Sequence, residues 1–143
     1  MDNNIQQRIT ASFEKQGLMR TLGATLTLIQ PGEVHITLPF SAHLLQQHGY
    51  VHAGAVTSVA DNACGYAALT VAPDGYEVVT AEFKINLLRP ALGAAFIAIG
   101  KVQNAGKLLT VCTGEVRKLD EDGNANKTIA LIQATIVNVA NNG

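Results

Sequence analysis

Asp61 is an acidic residue in the middle of a segment of mostly small or apolar residues that runs from Ala53 to Ala72. The length of this segment and the stop at Pro73 predict a long helix, and apolar residues nearly all round it indicate that protein encloses it. A carboxylate placed there is hydrogen-bonded, paired, or kept for its raised basicity. Such a group can serve as a general base or a nucleophile. A second interpretation stays open, in which Asp61 and Asn62 mark an exposed strip of the helix, or Asp61 hydrogen-bonds to backbone amides at a dimer interface.

The other reactive residue types form no recognisable site. Cys64 and Cys112 lie in dissimilar apolar contexts, which favours reduced core residues over a disulfide or zinc pair. The four histidines and the carboxylates form no recognisable set of metal ligands, so we predict no metal. We expect His35 and His43 at the surface and His48 in a solvent or dimer contact. The absence of Walker-type, G-x-G-x-x-G and G-x-S-x-G motifs argues against nucleotide hydrolysis, dinucleotide chemistry and a serine triad.

Composition predicts one folded domain spanning residues 1–143. The 143 residues are 48% hydrophobic and 15% charged, with a formal net charge of −1. This balance argues against a nucleic-acid partner, and the charge of Asp61 argues against a membrane span over residues 53–72. The polar start, MDNNIQQRIT, resembles no secretory or transit peptide, so we expect a cytoplasmic protein.

The N-terminal region predicts a helical flap. Three apolar residues recur there at a spacing of four: Ile5, Ile9 and Phe13. This spacing indicates an amphipathic helix over Asn3–Lys15 that ends at Gly17. Residues 1–17 would then pack on the core as a flap.

The rest of the chain predicts strands. Alternating polar and apolar runs around the Pro31-Gly32 turn indicate a hairpin between Ala24 and Pro39. Four further segments are rich in Val, Ile and Thr: Tyr76–Leu88, Gly93–Gln103, Leu108–Leu119 and Thr128–Val139. Their short connections lead us to expect that successive strands pair as antiparallel neighbours. We therefore predict an α+β hotdog fold, a curled antiparallel sheet of about six strands around one long helix, whose edges favour a homodimer.

The residues before and within the long helix resemble a family signature. Gln46-Gln47-His48-Gly49-Tyr50-Val51-His52-Ala53-Gly54, followed by Ala55 to Asp61, is similar to hotdog thioesterases of the phenylacetate-degradation type. In that family Asn or Gln, then Gly, then His-Gly-Gly precede a helix with an acidic residue. Val79 to Ala91 also resembles the strand after that helix. The resemblance implies an acyl-coenzyme A thioesterase that needs no cofactor, because coenzyme A is part of the substrate.

The resemblance also implies a role for each matching residue. Asp61 would be the base or nucleophile at the thioester carbonyl, and Gln46 of the neighbouring subunit would orient the water or the carbonyl. His52 would shape the loop and touch the thioester side. The Ala53 amide would donate to the carbonyl oxygen, and Thr80 would hold the attacking water.

Substrate contacts are expected at four further residues: Gly49, Tyr50, Gly54 and Arg89. Arg89 is the expected contact for a coenzyme A phosphate, whereas Tyr50 is left open between an acyl pocket and the dimer contact. The sequence departs from the family pattern twice. Ala53 replaces the first Gly of His-Gly-Gly and adds a methyl group where the thioester approaches, and Gln46 is one methylene longer than Asn.

Two other functions stay open at this point. A hotdog dehydratase or hydratase also joins a histidine to a helical acid, although the His-Phe-Pro-Gly loop typical of those enzymes is absent. A non-catalytic acyl-coenzyme A-binding module would keep the pocket without turnover. The sequence leaves open the acyl group, the choice of dimer or tetramer, and whether Asp61 acts as base or nucleophile.

Overall fold

The computed structural model describes residues 3–141. Residues 1–2 of the predicted flap 1–17, and residues 1–2 and 142–143 of the predicted domain 1–143, lie outside the described residues. The helices are α1 (Asn3–Glu14), α2 (Gly17–Leu22) and α3 (Ala53–Leu69), with a short 3₁₀ helix, η1, at Ala42–Leu44. The strands are β1 (Thr25–Gln30), β2 (Glu33–Pro39), β3 (Tyr76–Leu87), β4 (Ala95–Ala105), β5 (Leu109–Leu119) and β6 (Ala125–Ala140). The predicted elements are confirmed with shifts of up to three residues at their ends.

The six strands form one antiparallel sheet in the order β1-β2-β4-β5-β6-β3, and this sheet curls around α3. The predicted hotdog fold is therefore confirmed. Small residues allow the close contact between helix and sheet. A Cβ atom added at Gly100 in β4 would lie 2.4 Å from the backbone of Ala63 in α3. Cys64 and Cys112 are free and buried in this contact layer, as predicted.

The expected pairing of successive strands is wrong for β3. This strand pairs with β6 rather than β4 and forms one edge of the sheet. The link after β3 crosses the end of the curl, where Leu88 donates to the Ile129 carbonyl and Val51 donates to the Ala91 carbonyl. Seven residues separate β3 from β4, and an extended link of that length reaches about 20 Å, enough to cross between non-adjacent strands.

The N-terminal helix spans the gap between the two sheet edges. Gln6 donates to the Ile29 carbonyl of β1 at 3.1 Å, and Arg8 donates to the Tyr76 carbonyl of β3. The predicted helix over Asn3–Lys15 does end before Gly17, at Glu14, but Gly17 begins a second helix, α2, that the sequence analysis did not predict. α2 stops at Gly23, whose φ of 72° is the left-handed conformation that glycine adopts most easily.

Candidate active site

One side of α3 is left uncovered by the sheet. The partly or fully exposed residues on this side follow the helical repeat: Gly54, Thr57, Ser58, Asp61, Asn62 and Gly65. Asp61 therefore lies on an exposed strip, as the second sequence interpretation proposed, yet its side chain is half-buried. The N-terminal segment contacts this strip through Gln16 and Asn62, and β3 contacts it through Thr80 and Asp61.

The Asp61 carboxylate is held by β3. Thr80 Oγ1 donates a hydrogen bond of 2.8 Å to Asp61 Oδ1. The register of β3 against β6 shifts between Thr80 and Glu82, and such bulges re-aim side chains next to functional sites. Burial raises the pKa of the Asp61 carboxyl above its ordinary value, and the Thr80 hydrogen bond opposes part of that rise. The carboxylate is thus a stronger base than an exposed one, with Oδ2 free to act.

A cavity of about 250 Å³ opens at Asp61 and Thr80. Its opposite wall is a hydrogen-bonded group that sequence reasoning missed. Gln16 Nε2 donates to Asn62 Oδ1 and to Tyr66 Oη, each at 2.7 Å, and Ser12 Oγ lies 3.0 Å from the same Oη. No sequence signal pairs these residues, because they lie 46 to 54 positions apart.

The first turn of α3 presents an unpaired backbone amide. His52 caps the helix through Nδ1, which accepts from the Gly54 amide at 2.8 Å, so the ring proton sits on Nε2. Gly54 permits this cap, because an added Cβ would lie 3.0 Å from that nitrogen. The Ala53 N–H has no acceptor within residues 3–141. It therefore points a free donor outward from the positive end of the helix dipole.

The turn before α3 is organised by Gln46. Its backbone amide donates to the Tyr50 carbonyl, and its Oε1 accepts from the amides of His48 and Tyr50. Gly49 adopts a φ of 86° to close this turn. Because Oε1 is used within the turn, Gln46 can offer only its amide NH₂ group to a ligand.

A second cavity, of about 450 Å³, lies between this turn and the end of β3. Gln46, Tyr50, His52, Ala53 and Arg89 all line it, which brings five of the predicted site residues together. The Arg89 guanidinium donates to the Thr128 carbonyl and is otherwise exposed at this cavity. Gly49 does not line either of these two cavities and serves the turn instead, and Gly54 lies on the far side of the first helical turn.

The structure does not bring Asp61 to this second cavity. Asp61 and Ala53 are eight residues apart on α3, which separates them by about 12 Å along the helix axis and about 80° around it. The single chain therefore carries two separate groups of predicted site residues, Asp61 with Thr80 and Gln46 with His52 and Ala53.

The remaining histidines have structural partners. His43 is exposed and lies between Ser41 Oγ at 2.6 Å and the Thr21 carbonyl at 3.2 Å. His35 is half-buried rather than at the surface, with Glu33 at 2.6 Å. His48 is exposed and stacks obliquely on Tyr50. Within residues 3–141 no group of three or more potential ligands is placed to hold a metal ion.

No helix among the described residues is both long and apolar enough to cross a membrane.

Comparison with known proteins gives consistent matches. The model of the Thioesterase superfamily matches residues 48–125. The chain is similar to the acyl-coenzyme A thioesterase PaaI of Escherichia coli, with 27% identity over 134 residues that cover 93% of this chain and 90% of PaaI.

Solved structures agree with this match. A thioesterase family protein from Silicibacter pomeroyi superposes with a TM-score of 0.90 at 39% identity, covering 95% of this chain and 98% of that one. The PaaI protein of the E. coli phenylacetic acid degradation operon superposes with a TM-score of 0.82 at 25% identity, covering 95% and 94% of the two chains.

Proposed function

Because this chain belongs to the Thioesterase superfamily, we propose that it hydrolyses acyl-coenzyme A thioesters to a free acid and coenzyme A. Its similarity to a relative named acyl-coenzyme A thioesterase supports this substrate class. Coenzyme A enters as part of the substrate, and the proposal includes no separate cofactor. The expected cytoplasmic location stays a prediction.

The observation that carries the proposal is the half-buried Asp61 carboxylate at a cavity. A carboxylate whose pKa is raised by burial is a better proton acceptor than an exposed carboxylate. Hydrolysis also needs a donor for the oxygen that becomes negative, and the free Ala53 amide at the start of α3 has that property. These two groups are the chemical minimum for thioester cleavage without a serine nucleophile.

A second copy of the chain would bring the two groups together. Thr57 lies midway between Ala53 and Asp61 in the chain and is partly exposed on the same side of α3. If two copies of α3 pack antiparallel about Thr57, the Ala53 amide of one protomer lies level with the partner's Asp61. Each dimer would then contain two complete sites, each built from both protomers.

The β3 strand supports the same dimer. It is a twelve-residue sheet edge with exposed apolar side chains, including Val79, Phe83 and Leu87. A long apolar edge of this kind favours pairing with another strand. β3 passes Asp61 at Thr80 and ends at Leu87, which lines the same cavity as Ala53. Antiparallel pairing of two β3 strands therefore joins the 450 Å³ cavity of one protomer to the Asp61 cavity of the other.

Hydrolysis can proceed at this composite site in either of two ways. In the first, Asp61 takes a proton from water, the hydroxyl oxygen bonds to the carbonyl carbon, the C–S bond breaks, and the proton passes to the sulfur of coenzyme A. In the second, an Asp61 oxygen itself bonds to the carbonyl carbon and displaces the thiolate, and water then cleaves the mixed anhydride. Both routes develop negative charge on the carbonyl oxygen, which the Ala53 N–H stabilises.

The neighbouring side chains would position the reactants. Thr80 already donates its hydroxyl hydrogen to Asp61, so its oxygen is left to accept from the attacking water. Gln46 would donate from its NH₂ group to the carbonyl or water oxygen. His52, with its proton on Nε2, would donate toward the sulfur side. Arg89 would bind a phosphate with the donors that Thr128 does not occupy.

Release of free thiol from a panel of acyl-coenzyme A thioesters tests the proposal. We expect saturable release with at least one short, medium-chain or aromatic acyl group. Crotonyl-coenzyme A in the same plate distinguishes other chemistry, because loss of its conjugated double bond without thiol release would indicate a hydratase. Binding of every substrate without release would indicate a non-catalytic binding module, and either result would overturn the proposal.

A further inference from the structure

A third cavity, of about 290 Å³, lies on the opposite side of the α3 N-terminus from the Arg89 cavity. Four leucines line it, two from α2 and two from the segment around η1: Leu18, Leu22, Leu44 and Leu45. No Lys or Arg is among its lining residues in the described chain. Leu18 is 53% exposed in the free protein, so an apolar side chain faces this space without cover.

The polar side chains of this third cavity direct their hydrogen bonds into the protein. Ser58 donates its hydroxyl hydrogen to the Gly54 carbonyl at 2.7 Å. Both ring nitrogens of His43 are engaged, with Ser41 and the Thr21 carbonyl. These bonds also tie the η1 segment to α2 and hold the outer wall in place. The cavity therefore offers an incoming group apolar surface and few free hydrogen-bonding atoms.

His52 lines both the third cavity and the Arg89 cavity, so the two meet at the first turn of α3. A thioester carbonyl bound at the Ala53 amide would have one arm on each side of this point. The coenzyme A arm carries anionic phosphates, which favours the side with Arg89. The acyl arm is then left for the side with the four leucines.

Resting on the proposed thioesterase function, we infer that the third cavity is the acyl chamber and that α2 makes the enzyme select apolar acyl groups of medium length or with a single ring. An apolar cavity of about 150 Å³ holds benzene, so a space of 290 Å³ has room for such a group. A charged acyl group such as succinyl would lose its hydration there without gaining partners.

Replacement of Leu18 tests the chamber, because this side chain is exposed enough for a larger residue to be tolerated. The measured quantity is the ratio of kcat/KM for octanoyl- to acetyl-coenzyme A. Contacts of a single methylene with an apolar pocket change such ratios by about 10-fold or more. We therefore expect Leu18→Trp to lower the ratio at least about 10-fold and Leu18→Ala to shift the preference toward longer chains. Succinyl-coenzyme A should be the poorest substrate of the wild type.

Leu108→Trp is the matched control, because Leu108 is 62% exposed and does not line any of the three cavities described above. It should leave the ratio unchanged. Thiol release with an unaltered ratio in Leu18→Trp, or the highest kcat/KM with succinyl, would overturn the acyl chamber while leaving the thioesterase intact. If Leu88→Trp, in the Arg89 cavity, lowers this ratio and Leu18→Trp does not, the acyl group binds in the Arg89 cavity, which would also overturn the acyl chamber. No thiol release from any substrate would count against the proposed function itself.

Discussion

The first turn of α3 and its middle expose different chemical groups, although both lie on the same open strip. The first turn offers a backbone N–H at Ala53, with a histidine cap and cavities on two sides. The middle offers the Asp61 carboxylate, held by Thr80 in a polar cavity. The first turn can stabilise negative charge and the middle can accept a proton. Because about 12 Å of helix separates the two groups, they cannot both reach one thioester carbonyl within a single chain.

Removing the Asp61 carboxylate should have the largest effect. Asp61→Asn keeps an oxygen that accepts from Thr80 but cannot accept a proton, so we expect kcat to fall about 10²–10⁴-fold. Steady-state thiol release measures this, with circular dichroism as the check on folding. Turnover close to that of the wild type would remove Asp61 from the chemistry.

Removing the amide of the first turn should have the next largest effect. Ala53→Pro deletes one N–H at the first helical position, where proline is well tolerated. His52 has φ −57° and ψ 138°, which is the extended conformation favoured before proline. We expect a fall in kcat of about 10²–10³-fold with little change in Tm. Ala53→Gly keeps the N–H and should stay active, so equal losses in both variants would contradict the amide's role.

The hydrogen bond from Thr80 to Asp61 should shift the pH dependence of the enzyme's activity. The proposed role of Asp61 requires its ionised form, so kcat/KM should fall as pH drops through its raised pKa. Thr80→Val removes the bond that lowers this pKa, so the acidic limb of the profile should move to higher pH. We expect kcat to fall about tenfold from the lost hydrogen bond, and Thr80→Ser should restore both properties. A limb that moves to lower pH would contradict the assignment.

The smallest effect concerns stability. Because folding raises the pKa of Asp61, the folded state binds a proton more readily than the unfolded state between the ordinary and the raised pKa. The free energy of unfolding therefore decreases as pH rises through this window. Above the window, Asp61 is ionised in both states and the folded state carries the full cost of burying the charged carboxylate. Asp61→Asn should thus raise Tm at neutral pH by about 2–4 °C. Thermal scans should show this gain disappear at acidic pH, and a gain that persists there would have another cause.

Local sequence patterns predicted the helix that carries Asp61, and the family resemblance supplied the expected groups at its first turn, but neither gave their distance from each other. The small apolar run around Asp61 and the turn at Gly49 are readable because their causes are local. The position of β3 beside β6 was not readable, since it depends on a link that crosses the end of the sheet. The six-residue helix α2 was missed for a similar reason, because it is too short to show a repeat and is held by contacts such as that of His43 with Thr21.

A heterodimer of two inactive chains tests the composite site most directly. Asp61→Asn and Ala53→Pro chains with different affinity tags are co-expressed and purified through both tags. In such a dimer one site combines the intact Ala53 of one chain with the intact Asp61 of the other, and the second site carries both defects. We predict about half of the wild-type activity per dimer, from one intact site in two. A heterodimer no more active than the two variants alone, or failure of the chains to co-purify, would contradict a site shared between protomers.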